Sequence, residues 1–178
     1  MRRVLIILFF LISEFAFTQT VTPFFEQIAF DLYRSEIIDS FPVKKRIRIF
    51  PSFFDFQSTE FSFLTPNCFN KVAWTNPDHI QQIKEYKKNQ HSIDSNYKEL
   101  DFTDLNKKQF KIKKNGKGSY PKLFISVPHE DVKKPNRILV NIYEKHSKRK
   151  TVIYHLLLDK NGDLKEWCRQ EFITYIIH

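Results

Sequence analysis

The stretch from Gln109 to Ile173 constrains the fold more than any other part of this chain. Strand-forming runs at Gln109–Lys113, Lys122–Val127, Ile138–Glu144, Thr151–Leu158 and Leu164–Ile173 are separated by turn signals. The turn signals are Asn115-Gly116, Pro128 to Pro135, His146–Lys150 and Asp159-Lys160-Asn161-Gly162. An Asn-Gly pair between strands is the strongest short-range hairpin signal, because both central positions of a type I′ turn need positive φ. Successive hairpins predict an antiparallel meander over the last seventy residues.

The first half of the chain reads differently. Thr22-Pro23 suits a helix start, with Thr as N-cap and Pro at the first helical position. Phe25, Ile28, Ala29, Leu32 and Ile37 then recur at helical spacing, and Pro42 stops the pattern near Ser40. Lys44–Phe50 alternates basic and apolar residues, the mark of a half-buried strand. Phe50, Phe53, Phe54, Phe56, Phe61, Phe63 and Phe69 follow within twenty residues and are expected to fill a core. Asn76-Pro77 predicts a second helix over 77–89, and a short strand is expected at Tyr97–Phe102. Segregated helices and strands define the α+β class, here with one or two helices lying across one face of the meander.

Residues 1–18 have the form of a secretory signal: Arg2-Arg3, nine uninterrupted apolar residues from Val4 to Ile12, then a small and polar end. Nine apolar residues are too few for a bilayer, whose hydrocarbon core takes about 20 residues of helix. Cleavage is expected near Thr18-Gln19, with an uncleaved anchor as the alternative. Residues 19–178 then form one domain in the periplasm or outside the cell. Fifteen of the nineteen Phe lie in that part and Gly totals three, a composition for packing rather than disorder.

Cys68 and Cys168 are the only cysteines, and in an oxidising compartment they are expected to form one disulfide, the alternative being two buried thiols. Charge is bipolar: residues 106–150 hold fourteen basic and three acidic side chains, net +11, while the rest of the exported part sums to −3. Lys113, Lys114 and Lys117 flank one turn, and Lys148, Arg149 and Lys150 another. Should these turns converge, they form a patch for an anionic lipid or polysaccharide surface; otherwise they are solubilising charges. Specific nucleic-acid binding is not expected.

No Gly-rich phosphate loop, zinc-protease helix or nucleophile elbow occurs, and no cofactor is expected. Pro128-His129-Glu130-Asp131 groups metal-capable residues, but neighbours in one loop rarely converge on one ion, and no metal site is assigned. With a turn at Asn161-Gly162, His155 falls opposite Cys168; with a turn at Ser147-Lys148, Val140 flanks it on the other side. That pair is a candidate nucleophile and base, weighed against a buried histidine on an apolar face. Asn141, Tyr143, Tyr154, Trp167 and Arg169 are expected to line a ligand surface on the opposite face.

A helix followed by a curved antiparallel meander is similar in element order to cystatin-like and nuclear-transport-factor-like domains. Such folds carry enzymes, binders and interaction modules alike, so the likeness implies architecture and no function. The expected function is therefore that of a small exported non-catalytic domain, binding a ligand or partner through a sheet face or the basic turns. The alternatives are a small hydrolase using His155 in a pocket between helix and sheet, and a structural component of the cell envelope.

Overall fold

The first helix, α1, spans Phe25–Leu32 and continues through a π-helical stretch, Tyr33–Ile37, into a last turn, α2, Ile38–Ser40. The computed structural model describes residues 23–54, 90–92, 99–113, 118–131 and 136–173. The helix starts later than the Thr22-Pro23 signal implies: Phe24 is the N-cap, without a side-chain bond. Phe25, Ala29, Phe30, Tyr33, Ile37 and Ile38 are buried on one side. At roughly 1.5–3 kcal/mol for each large apolar side chain, that stripe outweighs anything an uncapped terminus forfeits. None of the described helices is long and apolar enough to cross a membrane.

Among the described residues, eight strands form one mixed sheet. They are β1 Ile47–Phe54, β2 Gln90–Ser92, β3 Phe110–Ile112, β4 Lys122–Ser126, β5 His129–Asp131, β6 Ile138–Lys145, β7 Lys150–Leu158 and β8 Leu164–Ile173. β4 and β5 both pair antiparallel with β6, and the register steps by one residue between them, so they act as one bulged strand, of which β5 falls within the expected Pro128–Pro135 turn. β6, β7 and β8 continue antiparallel, which is the meander the sequence predicts. The α+β class therefore holds.

The meander stops at β4, however. β1 lies between β3 and β4 and runs parallel to both. The strands flanking Asn115-Gly116 are thus not hairpin partners; residues 114–117 themselves lie outside the described residues. A turn motif sets local backbone geometry, while partnership went to the more apolar β1, whose Ile47 and Ile49 are fully buried. A register shift in β1 between Ile49 and Phe53 coincides with Pro51, which has no N–H to give a ladder. The sheet is thus mixed, where the sequence leads one to expect a purely antiparallel meander. The expected helix over 77–89 lies outside the described residues, and 99–102 are not strand.

Side-chain parity now fixes the two faces. The helix packs on Ile47, Ile49, Leu123, Ile125, Ile138, Val140, Ile142, Val152, Tyr154, Leu156 and Leu158. Leu139, Asn141, Tyr143, Ile153, His155 and Leu157 alternate with these, point the other way and are buried too. On that far face Phe50 stacks on Phe124, with ring centroids 5.0 Å apart.

Candidate functional site

Glu144 is the one carboxylate on the helix-facing side of β6, and it is 1% exposed. An ionised group there needs partners to offset desolvation. Tyr33 donates its hydroxyl to Glu144 Oε2 at 2.7 Å, Tyr154 donates to the same oxygen at 3.3 Å, and His146 Nε2 lies 2.7 Å from Oε1. Tyr33 opens the π-helical stretch, where one residue more than an α-helical turn re-aims the side chains that follow. Burial first, then the Glu144 charge and hydrogen bond, pushes the Tyr33 phenol well above its ordinary value. Tyr154 is raised by burial and then by Glu144. Both phenols therefore remain protonated donors at physiological pH, which suits holding the carboxylate rather than moving its proton.

Around this buried group lies a more open rim. Phe41, the residue after α2, meets Tyr154 at 6.4 Å and Trp167 edge-on at 6.3 Å between ring centroids. The Arg169 guanidinium carbon sits 4.8 Å from the Phe41 ring centroid, in cation–π geometry. Its Nη2 donates to Glu171 Oε2 at 3.0 Å, and Lys150 Nζ lies 2.6 Å from Glu171 Oε1. Those two cations, Lys150 first, hold the Glu171 carboxyl below the usual carboxylate range. Phe41 is 38% exposed, Trp167 36% and Ile173 44%. These exposed apolar side chains cluster along and beside β8.

The five residues expected to share a ligand face divide between two. Tyr154, Trp167 and Arg169 meet on the helix side, whereas Asn141 and Tyr143 point to the far face. The cause is a one-residue difference in register. A turn at Ser147-Lys148 puts Val140 beside His155; the structure pairs Asn141 with His155, because His146 closes on Lys150 and the loop holds three residues, Ser147 to Arg149. Ser147 Oγ accepts from the Arg149 and Lys150 amides and fixes that longer loop. A slip of one residue exchanges the faces of a whole strand.

His155 does face Cys168 across β7 and β8 as expected. It is fully buried, with Nδ1 2.5 Å from Asn141 Oδ1 and Nε2 3.0 Å from Gln170 Oε1. A neutral imidazole has one N–H, so one amide must turn its NH2 toward the ring. Asn141 Nδ2 is buried and otherwise unbonded among the described residues, which identifies Asn141 as that amide. Burial pulls the His155 pKa down to about 4, against a smaller opposing effect of Gln170. Cys168 is not a free thiol, and Cys68 lies outside the described residues. The cleft on the outer side of the helix, about 340 Å³, is lined by Asp31, Arg34, Asp39 and Asp104 among others and does not include His155.

The basic turns do not combine as in a simple meander. Lys148 and Arg149 are exposed in the β6–β7 loop, while Lys150 is engaged by Glu171. Lys113 follows β3, which is separated from β4 by β1, and Lys114 and Lys117 lie outside the described residues. Sequence reasoning missed Tyr33, Phe41, Glu144 and His146. Glu144 had left a signal: it interrupts the Ile138, Val140, Ile142 alternation with a charge on the core face. No protein-family model matches this chain, and neither a curated protein nor a solved structure matches it.

Proposed function

We propose that the protein is an exported, non-catalytic domain that binds a partner through β8 and the aromatic–guanidinium patch beside it. The observation that carries this reading is exposed Trp167 and Ile173 on a ten-residue strand, with exposed Phe41 packed beside Trp167, the strand's only neighbour among the described strands being β7. A long edge with exposed apolar side chains is a template for an added strand. Aromatic and arginine side chains are the types that dominate binding hot spots. The chemistry inside points the same way: His155 is sealed from solvent, and Glu144 Oε2 is held by two phenols that stay protonated while Oε1 faces His146.

Export belongs to the same reading, with residues 1–18 removed and Cys68 bridged to Cys168 in an oxidising compartment. Intact mass of the exported protein and thiol alkylation under denaturing, non-reducing conditions read these two points directly. A product that keeps Met1, or two alkylated thiols, overturns them.

Binding is tested by placing a photoreactive phenylalanine analogue at position 167, and for comparison at the exposed, distant position 107, in cells that export the protein. Covalent adducts identified by mass spectrometry are expected at 167 and to be lost with Arg169→Glu. Equal yields at both positions, or adducts indifferent to Arg169, overturn the reading.

A further inference from the structure

Among the described strands β8 pairs with β7 alone, and its other side carries a pattern that specifies its own complement. Along the helix-facing side of β8 the side chains read Trp167, Arg169, Glu171, Ile173: an apolar residue at each end, a cation and an anion between. We propose that β8 pairs antiparallel with β8 of a second copy, about a two-fold axis passing through Gln170. This rests on the reading that β8 binds a partner, and it names that partner as the chain itself.

The register follows from symmetry and charge. In a continuous sheet with its axis perpendicular to the strands, residues placed opposite each other share a face, so one residue must sit opposite its own copy. With Gln170 on the axis, Arg169 faces Glu171 of the second copy and Trp167 faces Ile173 of the second copy, each pair occurring twice. With the axis at Arg169 or at Glu171, like charges meet. With the axis at Trp167, Lys165 faces Arg169 of the second copy. With the axis at Cys168, Ile173 is left against Asp163 of the second copy. Only the Gln170 register sets both exposed apolar residues against each other and both charges against opposites.

Opposite-charge and aromatic–aliphatic cross-strand pairs each stabilise a ladder, and directly opposed like charges weaken it. Both copies present the helix on the same face, so Phe41, already against Trp167, lies beside the seam. Pairing over residues 167–173 alone gives an interface at the small end of specific ones, so the dimer is expected to dissociate on dilution.

Sedimentation velocity of the exported full chain over a wide concentration range is the test. The mass is expected to rise from one chain to two. Arg169→Glu, which puts Glu opposite Glu twice, is expected to weaken the dimer at least about tenfold. The double variant Arg169→Glu/Glu171→Arg is expected to restore it, while thermal unfolding of each variant at low concentration reports whether the monomer is intact. A monomer at every concentration overturns the proposal, as does a dimer indifferent to Arg169→Glu or one that the double variant fails to recover. The two readings separate cleanly. Adducts from position 167 to a different protein, with a monomeric chain, refute self-pairing and leave partner binding standing; no adduct at all refutes both.

Discussion

Acid should destabilise this protein through His155, and the size of the effect follows from its setting. In the folded chain the ring is fully buried between Asn141 and Gln170 and its pKa is about 4; in the unfolded chain it returns to about 6.5. Above pH 6.5 both states hold the ring neutral and it makes no pH-dependent contribution. As pH falls from about 6.5 to about 4 the unfolded state takes up a proton that the folded state refuses, so stability drops through that window and levels off below it. A difference of about 2.5 pH units corresponds to roughly 3 kcal/mol, a large share of the 5–15 kcal/mol typical of a domain. Glu171 works in the same direction, because a carboxyl held low loses its stabilisation as pH falls, but at lower pH. The measurement is urea unfolding at pH 7 and pH 4 for the wild type and His155→Gln, whose amide keeps polar partners for Asn141 and Gln170 without titrating. The wild-type midpoint should fall by roughly 1–2 M more than that of the variant over this interval. Parallel falls in the two proteins would refute the assignment of the acid sensitivity to His155.

Gly162→Ala should destabilise by about 1–3 kcal/mol, since φ is +91° and an added methyl would collide with Ile28 Cδ1 on α1; the thermal unfolding midpoint reports it. Tyr33→Phe removes the shorter hydrogen bond to Glu144 and should cost about 1–3 kcal/mol at neutral pH, and an unchanged urea midpoint would mean that Tyr154 and His146 suffice. Lys148→Ser/Arg149→Ser/Lys150→Ser should weaken any low-salt co-sedimentation with anionic vesicles, with binding lost near 1 M salt, where the Debye length is about 3 Å. Equal recovery of wild type and variant would leave these residues as solubilising charges.

The strongly patterned segments were readable in the sequence. β6, β7 and β8 announce themselves by apolar alternation and by turns rich in Asn, Gly, Ser and Asp, and the greasy stripe of the N-terminal helix is plain. Partnership is harder to read than strand identity. Asn115-Gly116 sits between two strands, yet both strands pair with β1, which lies 63 to 74 positions earlier in the chain. Local turn propensity cannot compete with the burial of Ile47 and Ile49 between those strands. The site failed for a smaller reason. A single extra loop residue, held by Ser147 Oγ, moved Asn141 to His155 and so separated Asn141 and Tyr143 from Tyr154. The π-helical stretch that Tyr33 opens has no sequence signature to read.

The parallel placement of β1 also sets a timetable for folding. Its hydrogen-bonding partners are Phe110–Ile112 on one side and Lys122–Ser126 on the other. At ribosomal rates of about 5–20 residues per second, β1 is therefore made several seconds before either edge it must join exists. Until then α1 has no sheet to cover. Contacts this distant in sequence form late because loop closure precedes any reward from pairing. A sheet built this way cannot close until the last third of the chain has been made, so its first strand and the helix over it wait on residues that are synthesised last.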